Sequence, residues 1–238
     1  MRVDIWSDIA CPWCYVGKRR FEAAIAGLGV EVEVTWRSFE LDPHAPAAAD
    51  EGAQDELLAR KYGLSLERAR ELIAHMTATG AAEGIEFRFD RVRRGNTFDA
   101  HRLIHMVSRV GLGDAMKERL LRAYFTEGAW VADHETLATL AAQVGLDRRE
   151  VREMLAGDDF RADVRRDEGI AHQLGISGVP FFVVDQRLGV SGAQPADTMR
   201  RILEEALATS AADAPAGDAC GPDGCSDESS LPVTVGSG

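Results

Sequence analysis

The stretch Cys11-Pro12-Trp13-Cys14 lies where the pattern of a β-strand gives way to the pattern of a helix. Before it, apolar Val3 and Ile5 alternate with charged residues, as along a half-buried strand. After it, apolar side chains recur at the i, i+3, i+4 and i+7 spacing of one helical face: Phe21, Ala24, Ile25 and Leu28. The motif is therefore predicted to begin a helix, and this context decides how its two cysteines are interpreted.

The position at a helix start predicts unequal roles for the two thiols. A helix N-terminus carries unpaired N–H groups and the positive end of the helix dipole, which favour a thiolate. Cys11 is therefore expected to have a lowered pKa and to act as the nucleophile in disulfide exchange. Cys14 lies one turn further along the same face, where it can attack a mixed disulfide formed at Cys11. Pro12 suits the first helical turn, since its missing N–H costs no hydrogen bond there.

Two other interpretations of the motif are half of a zinc site and an inert structural disulfide. No second C-x-x-C and no compact Cys/His pair follows in the sequence. His101 and His105 have the four-residue spacing of zinc ligands on a helix, but residue 102 is Arg where the metalloprotease motif requires Glu. We therefore predict redox chemistry and no bound metal.

Composition and charge narrow the class of protein. The chain has 238 residues, of which 45% are hydrophobic, enough for one large domain or a domain with a sizeable insertion. The formal net charge of -12 argues against nucleic acid or an anionic membrane surface as a partner. The sequence shows no signal-peptide pattern and no apolar run approaching the roughly 18 residues of a membrane span. We expect a cytoplasmic protein, in which a C-x-x-C pair is more often catalytic or redox-sensing than structural.

The remaining pattern predicts strands towards both ends of the chain and helices between them. Residues 30–37 alternate apolar and polar, which predicts a second strand, parallel to the first and at a sheet edge. Phe181-Phe182-Val183-Val184 predicts a central buried strand, followed across a turn by a strand at 188–191 and a closing helix. Helices are predicted in between, near 51–62, 66–82, 98–110, 114–125, 135–144, 148–156 and 160–174.

Several motifs together resemble the DsbA-like branch of the thioredoxin superfamily, and within it the FrnE-like subgroup. Besides the cysteine motif they are Ser7-Asp8, residues 36–43, Asn96-Thr97 with Ala100-His101, and Gly178-Val179-Pro180-Phe181. The resemblance implies an α/β, thioredoxin-like fold with a large all-helical insertion. The implied parts are a discontinuous thioredoxin-like domain of residues 1–40 and 176–208, a helical insertion domain of residues 41–175, and a flexible tail of residues 209–238.

The resemblance also implies an activity and a set of site residues. The activity is that of a thiol–disulfide oxidoreductase or isomerase, with Cys11 and Cys14 as the catalytic pair and no cofactor. The Val179–Pro180 peptide bond would be cis and would face the cysteines, although cis is the minor form of X-Pro bonds in general. The residues implied to contact the substrate are Trp13, Val179, Pro180, Asn96 and His101.

The implied partners are proteins or small molecules that carry disulfides or thiols. Glutathione is a candidate co-substrate, and glutathione or a thioredoxin-type protein is a candidate reductant. Strongly oxidising members of the family have a His between the cysteines that can stabilise a thiolate. Trp13 cannot carry a charge, so we expect a less oxidising couple.

Two alternatives to this activity stay open. One is a glutathione-dependent isomerase or transferase of the 2-hydroxychromene-2-carboxylate isomerase type, a lineage that typically has Ser in place of Cys11. The other is a thiol-based chaperone or metal-binding protein.

A second pair of cysteines, Cys220 and Cys225, encloses the sequence Gly-Pro-Asp-Gly. These four residues are typical of a tight turn, which would bring the two sulfurs within reach of a disulfide. We hypothesise that this pair exchanges with the Cys11–Cys14 pair, either recharging it or storing its electrons. A soft-metal clip or an incidental disulfide in the tail would explain the same spacing.

Overall fold

One four-stranded sheet brings the two ends of the described chain together. The computed structural model describes residues 1–45 and 53–212. Strand β1 (Arg2–Ser7) pairs in parallel with β2 (Glu33–Ser38) and antiparallel with β3 (Phe181–Val184), which pairs antiparallel with β4 (Leu188–Ser191). The strand order β2–β1–β3–β4 confirms that the second strand is parallel to the first and lies at an edge, and that the Phe-Phe-Val-Val strand is internal.

Two helices pack next to these strands. Helix α1 (Pro12–Ile25) begins at the cysteine motif with Pro12 in its first turn, as predicted, and stacks Phe21 on Phe182 with ring centroids 5.5 Å apart. Helix α9 (Ala196–Ala212) packs against α1 and continues beyond the predicted end at residue 208. The extra turn is rich in alanine, the residue with the highest helix propensity. Strand β2 begins later than predicted, and Val30 before it is 43% exposed.

The segment between β2 and β3 is mainly helical, and each helix predicted from periodicity is present. The helices are α2 (Gln54–Tyr62), α3 (Leu66–Ala82), α4 (Phe98–Ser108), α5 (Gly113–Arg122), α6 (His134–Gln143), α7 (Arg148–Ala156) and α8 (Arg161–Gln173). Local hydrogen bonds define their ends. At the start of α7, Asp147 Oδ1 accepts from the backbone N–H groups of Arg149 and Glu150, as an N-cap should.

A π-helical turn, Ala123–Glu127, follows α5 directly and was not predicted. Hydrophobic periodicity does not distinguish such a wide turn from an α-helix, so the sequence predicts a single helix to Phe125. The turn places Tyr124 and Phe125 edge to face, with ring centroids 4.9 Å apart. Gly128 ends it with a φ of 71°, and a Cβ there would lie 2.6 Å from the carbonyl oxygen of Arg91, so a larger residue does not fit.

Asp167 of α8 connects the helical segment to the sheet through hydrogen bonds and an ion pair. Its fully buried carboxylate accepts a hydrogen bond from the Ser38 backbone N–H at 3.0 Å and lies 3.0 Å from Arg37 Nη1 and 3.1 Å from His105 Nε2. Its backbone carbonyl accepts a hydrogen bond from the Trp6 indole at 2.9 Å. Burial opposes ionisation of Asp167, but the hydrogen bonds from His105 and Ser38 and the charge of Arg37 outweigh it and lower the pKa of the carboxyl.

The sheet and the helices between β2 and β3 share one apolar core. Val3, Ile5 and Phe182 of the strands belong to the same buried cluster as helical side chains such as Leu103, Leu120, Leu137 and Val151. The protein is therefore an α/β fold with a large helical insertion, as predicted. No helix within the described residues is both long enough and apolar enough to cross a membrane.

Candidate active site

Cys11 and Cys14 lie at the first turn of α1, directly after β1. Cys11 immediately precedes the helix with an extended backbone, and its carbonyl accepts the Cys14 N–H at 3.1 Å. Both thiols are free and nearly buried, with 4% exposure for Cys11 and 1% for Cys14. Cys11 lines a cavity that Cys14 does not reach. Access to the cavity therefore distinguishes the two sulfurs.

The lowered pKa predicted for Cys11 is wrong for the reduced pair. A hydrogen bond with the Cys14 side chain, burial, and the negative charges of Cys14 and Asp8 raise the pKa of the Cys11 thiol well above its usual range. The backbone N–H of Cys14 favours the thiolate, as expected at a helix start, but these effects outweigh it. The helix position is thus confirmed, while the acidity inferred from it is not.

Val179 and Pro180 face the cysteines across the start of α1, and the peptide bond between them is cis, as the resemblance implied. The Cys11 thiol donates to the Val179 carbonyl oxygen at an Sγ–O distance of 3.5 Å. Pro180 packs against Gly17 of α1, where an added Cβ would lie 2.7 Å from Pro180 Cγ. Sequence reasoning missed Gly17, although a glycine inside an amphipathic helix is a signal of close packing.

Lys117 of α5 is a buried cation at this site that sequence reasoning also missed. Lys117 is 1% exposed, and its Nζ lies 3.4 Å from the Ser7 carbonyl oxygen and 5.4 Å from the centroid of the Trp36 ring. Within the described residues it forms no ion pair with a carboxylate. Lys117 shares a helical face with Leu120 and Leu121, and a lysine on an apolar face was the available signal.

The charge of Lys117 acts on the Cys11–Cys14 pair. Burial lowers the pKa of Lys117 to about 8, while the negative charges of Cys14, Asp8 and Cys11 partly oppose that change. An ammonium group in this position stabilises a thiolate on either cysteine, because the surroundings are too dry for water to screen the interaction.

Asp8 and His101 form a fully buried pair beside Cys11. Asp8 Oδ1 lies 3.4 Å from His101 Nε2, and Asp8 Oδ2 accepts a hydrogen bond from the Leu41 backbone N–H at 2.8 Å. Burial lowers the pKa of His101 and so favours the neutral ring, whereas the contacts of Asp8 outweigh its burial and lower the pKa of the carboxyl. His101 does not line the cavity, so the substrate contact implied for it is not seen.

Asn96 is also absent from the cavity wall. Its Oδ1 accepts the Phe98 backbone N–H at 2.8 Å, and its Nδ2 donates to Glu40 Oε1 and to the Pro43 carbonyl oxygen, both at 3.4 Å. These bonds connect the start of α4 to the segment after β2. Asn96 therefore supports the cavity wall through these hydrogen bonds without lining the cavity, whereas its neighbours Gly95 and Thr97 line it.

A cavity of 560 Å³ opens between the cysteine motif and the helical insertion. Cys11, Pro12, Trp13 and Val179 form one side of it, and Trp13 is 41% exposed there. The opposite side comes from α2, α3, the 89–97 segment and the π-helical turn. A second cavity, of 340 Å³ between α1, β2 and the start of α5, contains neither cysteine.

Cys220 and Cys225 lie outside the described residues, so their exchange with the Cys11–Cys14 pair stays a prediction. In the part of the chain that is described, no group of three or more His, Cys, Asp and Glu side chains is placed to hold a metal ion.

Comparison with known proteins agrees with this architecture. The structure matches that of a probable DsbA oxidoreductase from Streptomyces coelicolor with a TM-score of 0.84 and 44% sequence identity, covering 96% of this chain and 100% of that one. The cytosolic disulfide reductase DsbM from Pseudomonas aeruginosa, solved with GSH, shares the fold at a TM-score of 0.62 and 20% identity, covering 87% of this chain and 100% of that one.

Sequence comparison gives the same result. The uncharacterized protein YwbO of Bacillus subtilis (strain 168) is 28% identical over 209 residues, which are 86% of this chain and 96% of that protein. Residues 2–204 match the family described as DSBA-like thioredoxin domain. The protein therefore belongs to the family of DSBA-like thioredoxin domains.

Proposed function

We propose that the protein is a thiol–disulfide oxidoreductase or isomerase in which Cys11 attacks the substrate and Cys14 resolves the intermediate. The observation that carries this proposal is the position of the two sulfurs: Cys11 opens to the cavity, and Cys14 lies behind it on the same turn of α1. Membership in a family of oxidoreductases supports the class of chemistry.

The proposed reaction proceeds in two exchanges. The Cys11 thiolate attacks one sulfur of a substrate disulfide, which forms a mixed disulfide and releases the other sulfur as a thiolate. The Cys14 thiolate then attacks the Cys11 sulfur, which forms the Cys11–Cys14 disulfide and releases the second substrate thiolate. The substrate gains two electrons and the enzyme pair loses two, and the same steps in reverse oxidise a dithiol.

Trp13, Val179 and Pro180 are proposed to position the substrate beside Cys11. Trp13 offers an exposed apolar ring at the cavity, and the backbone at Val179 lies within hydrogen-bond reach of the attacking sulfur. We further propose that the protein acts in the cytoplasm, with glutathione or a thioredoxin-type protein as reductant. A protein of the same fold is named a cytosolic disulfide reductase, which motivates this part of the proposal.

The test is reduction of insulin by dithiothreitol with the full-length protein and its Cys11→Ser and Cys14→Ser variants. Cys11→Ser should reduce the rate to background, because no other thiol opens to the cavity in the described residues. Cys14→Ser should accumulate a mixed disulfide with the substrate, visible by mass spectrometry. Cys220→Ser with Cys225→Ser is the matched control and should retain catalysis of the first exchange. Full activity of Cys11→Ser would contradict the proposal.

A further inference from the structure

The cavity at Cys11 is large enough for a small molecule, and its lining is mainly apolar. Its volume of 560 Å³ falls within the roughly 300–1,000 Å³ that is typical of small-molecule sites. Its far wall consists mainly of apolar side chains: Leu58, Leu72, Ile73, Met76, Phe89 and Phe125. A ligand of matching shape would gain binding energy by covering this surface.

The π-helical turn builds part of this wall. Tyr124 and Phe125, consecutive in sequence, both line the cavity, with ring centroids 4.9 Å apart. Wide turns of this kind occur frequently at functional sites. The turn thus contributes two neighbouring aromatic side chains to the wall of the cavity.

Arg94 and Tyr124 are the two polar groups of the wall that matter most here; Gln54, Lys61, His75 and Thr97 also line it. Arg94 donates through Nε to Gln54 Oε1 at 3.2 Å and forms no ion pair within the described residues, so the rest of its guanidinium can bind an anion in bidentate fashion. Tyr124 is 3% exposed, and its hydroxyl has no hydrogen-bond partner among the described residues. Burial raises the pKa of Tyr124, so the phenol stays a neutral donor at pH 7, and the charge of Arg94 acts on it directly.

We propose that this cavity binds a small disulfide or thiol with an apolar, ring-sized body and a carboxylate, which Arg94 and Tyr124 hold while its sulfur faces Cys11. The inference rests on the proposed exchange function and names its substrate class. The chemistry is unchanged: Cys11 forms the mixed disulfide with one half of the ligand and releases the other half as a thiolate.

The lining favours a small molecule over a protein segment. An extended peptide needs backbone partners along its path, whereas the far wall is formed mainly by apolar side chains, with polar ones such as Gln54 and His75 at scattered positions. Glutathione is a charged peptide without a large apolar group, so it would leave this wall uncovered. Lys61 and Arg94 share the lining with two carboxylates, Asp8 and Asp42, so the preference for an anion rests on Arg94, which forms no ion pair among the described residues.

The experiment compares three disulfides with the reduced full-length protein in which Cys220 and Cys225 are replaced by Ser. The probes are dithiobis(nitrobenzoate), which is aromatic and dianionic, dithiodipyridine, which is aromatic and uncharged, and insulin. The first should react with a rate that saturates with its concentration, as expected for binding before exchange. Arg94→Gln should slow its reaction below saturation roughly tenfold, the loss of about 1.4 kcal/mol expected for a charge-assisted hydrogen bond.

Matched variants separate binding in the cavity from general effects. Arg93→Gln changes the net charge equally, but Arg93 packs on Trp130, 5.4 Å from its ring centroid, and does not line the cavity. It should leave all three rates within about twofold, as should Arg94→Gln with dithiodipyridine. Ile73→Trp, which fills the cavity from α3, should slow both aromatic probes and spare insulin; circular dichroism verifies that it folds.

The outcomes distinguish this inference from the proposed function. Equal effects of Arg94→Gln and Arg93→Gln on the anionic probe would overturn the assignment of Arg94. Slowing of insulin by Ile73→Trp as strongly as of the aromatic probes would show that the cavity receives protein segments instead. In both cases exchange itself persists. A wild-type protein that exchanges with none of the three disulfides contradicts the proposed function as well.

Discussion

The reactivity of Cys11 depends on groups that oppose its ionisation. Its hydrogen bond with Cys14, its burial and the charge of Asp8 raise its pKa, so only a small fraction is thiolate at pH 7. The rate of alkylation by iodoacetamide should therefore rise about tenfold per pH unit from neutral pH and continue to rise beyond the ordinary thiol pKa of about 8.5. Cys14→Ser should move this profile to lower pH. A plateau below pH 7 in the wild type would contradict the prediction.

Lys117 should support thiolate formation at a cost in stability. Lys117→Met should raise the pH at which the cysteines are alkylated, because the buried positive charge that favours a thiolate is lost. The folded pKa of about 8 lies below the unfolded value of about 10.4, so the unfolded state binds more protons between them. The free energy of unfolding of the wild type therefore rises with pH between about 8 and about 10.4. Below about pH 8 this group contributes no such rise.

Guanidinium unfolding at pH 7.5 and 9.5 tests this sign, since the wild type should gain more stability than Lys117→Met over that interval. Lys18→Met is the informative comparison, because Lys18 is equally buried but pairs with Glu22, Asp114 and Glu118. Its loss should destabilise the fold at both pH values. A larger gain of stability between pH 7.5 and 9.5 in Lys117→Met than in the wild type would refute the lowered pKa assigned to Lys117.

Gly17 should be required for the approach of Pro180 to α1. Gly17→Ala places a Cβ 2.7 Å from Pro180 Cγ, so the segment before β3 must move away from Cys11. We expect slower insulin reduction and a lower Tm, although alanine favours a helix by about 1 kcal/mol. Gly169→Ala in α8 is the control, because nothing lies within 4 Å of its added Cβ. Equal behaviour of the two variants would show that the contact is not needed.

At the scale of elements, α8 is attached to the sheet through one carboxylate. Asp167→Asn should destabilise the protein by about 1–3 kcal/mol, because Arg37 loses one of its two carboxylate partners while keeping Asp4, and the Ser38 N–H loses a charged acceptor. Asp163→Asn, on the same helix, removes only a pair with Arg166 at the surface and should cost less than about 1 kcal/mol. Chemical denaturation at pH 7 measures both.

The pH dependence of this attachment follows from the lowered pKa of Asp167. The contribution is fully present above the unfolded pKa of about 3.9 and is lost as the pH falls through the lower folded value. Asp167→Asn should therefore be less sensitive to acid than the wild type. Identical acid transitions in the two proteins would contradict this role for the carboxylate.

At the scale of the whole molecule, the predicted boundaries at residues 40 and 175 separate elements of different type but not separate cores. Buried side chains of β1, β3, α4 and α5 belong to one cluster. The described residues should therefore unfold in a single transition, with the calorimetric enthalpy equal to the van't Hoff enthalpy. Differential scanning calorimetry measures both quantities. Two resolved transitions would show that the insertion is an independent domain.

Much of the fold follows from local patterns in the sequence. Alternation around Val3 and Ile5, the apolar run at 181–184 and the periodicity of the insertion were sufficient to predict the strands, their parallel or internal placement and the helices. These features can be predicted locally because the spacing of apolar residues along each element indicates which of its faces is buried. The π-helical turn at 123–127 escaped prediction, since its apolar spacing resembles that of an ordinary helix.

By itself, the sequence determined that two thiols lie at the start of a helix in an α/β fold with a helical insertion, because spacing along the chain is enough to place them there. Only the tertiary structure decided how those thiols behave. Asp8, Lys117, Val179 and the cavity around Arg94 come from segments far apart in sequence. The acidity expected of Cys11 from its position on the helix is reversed by the hydrogen bond with the Cys14 side chain, by burial and by the charge of Asp8, and these effects act through space.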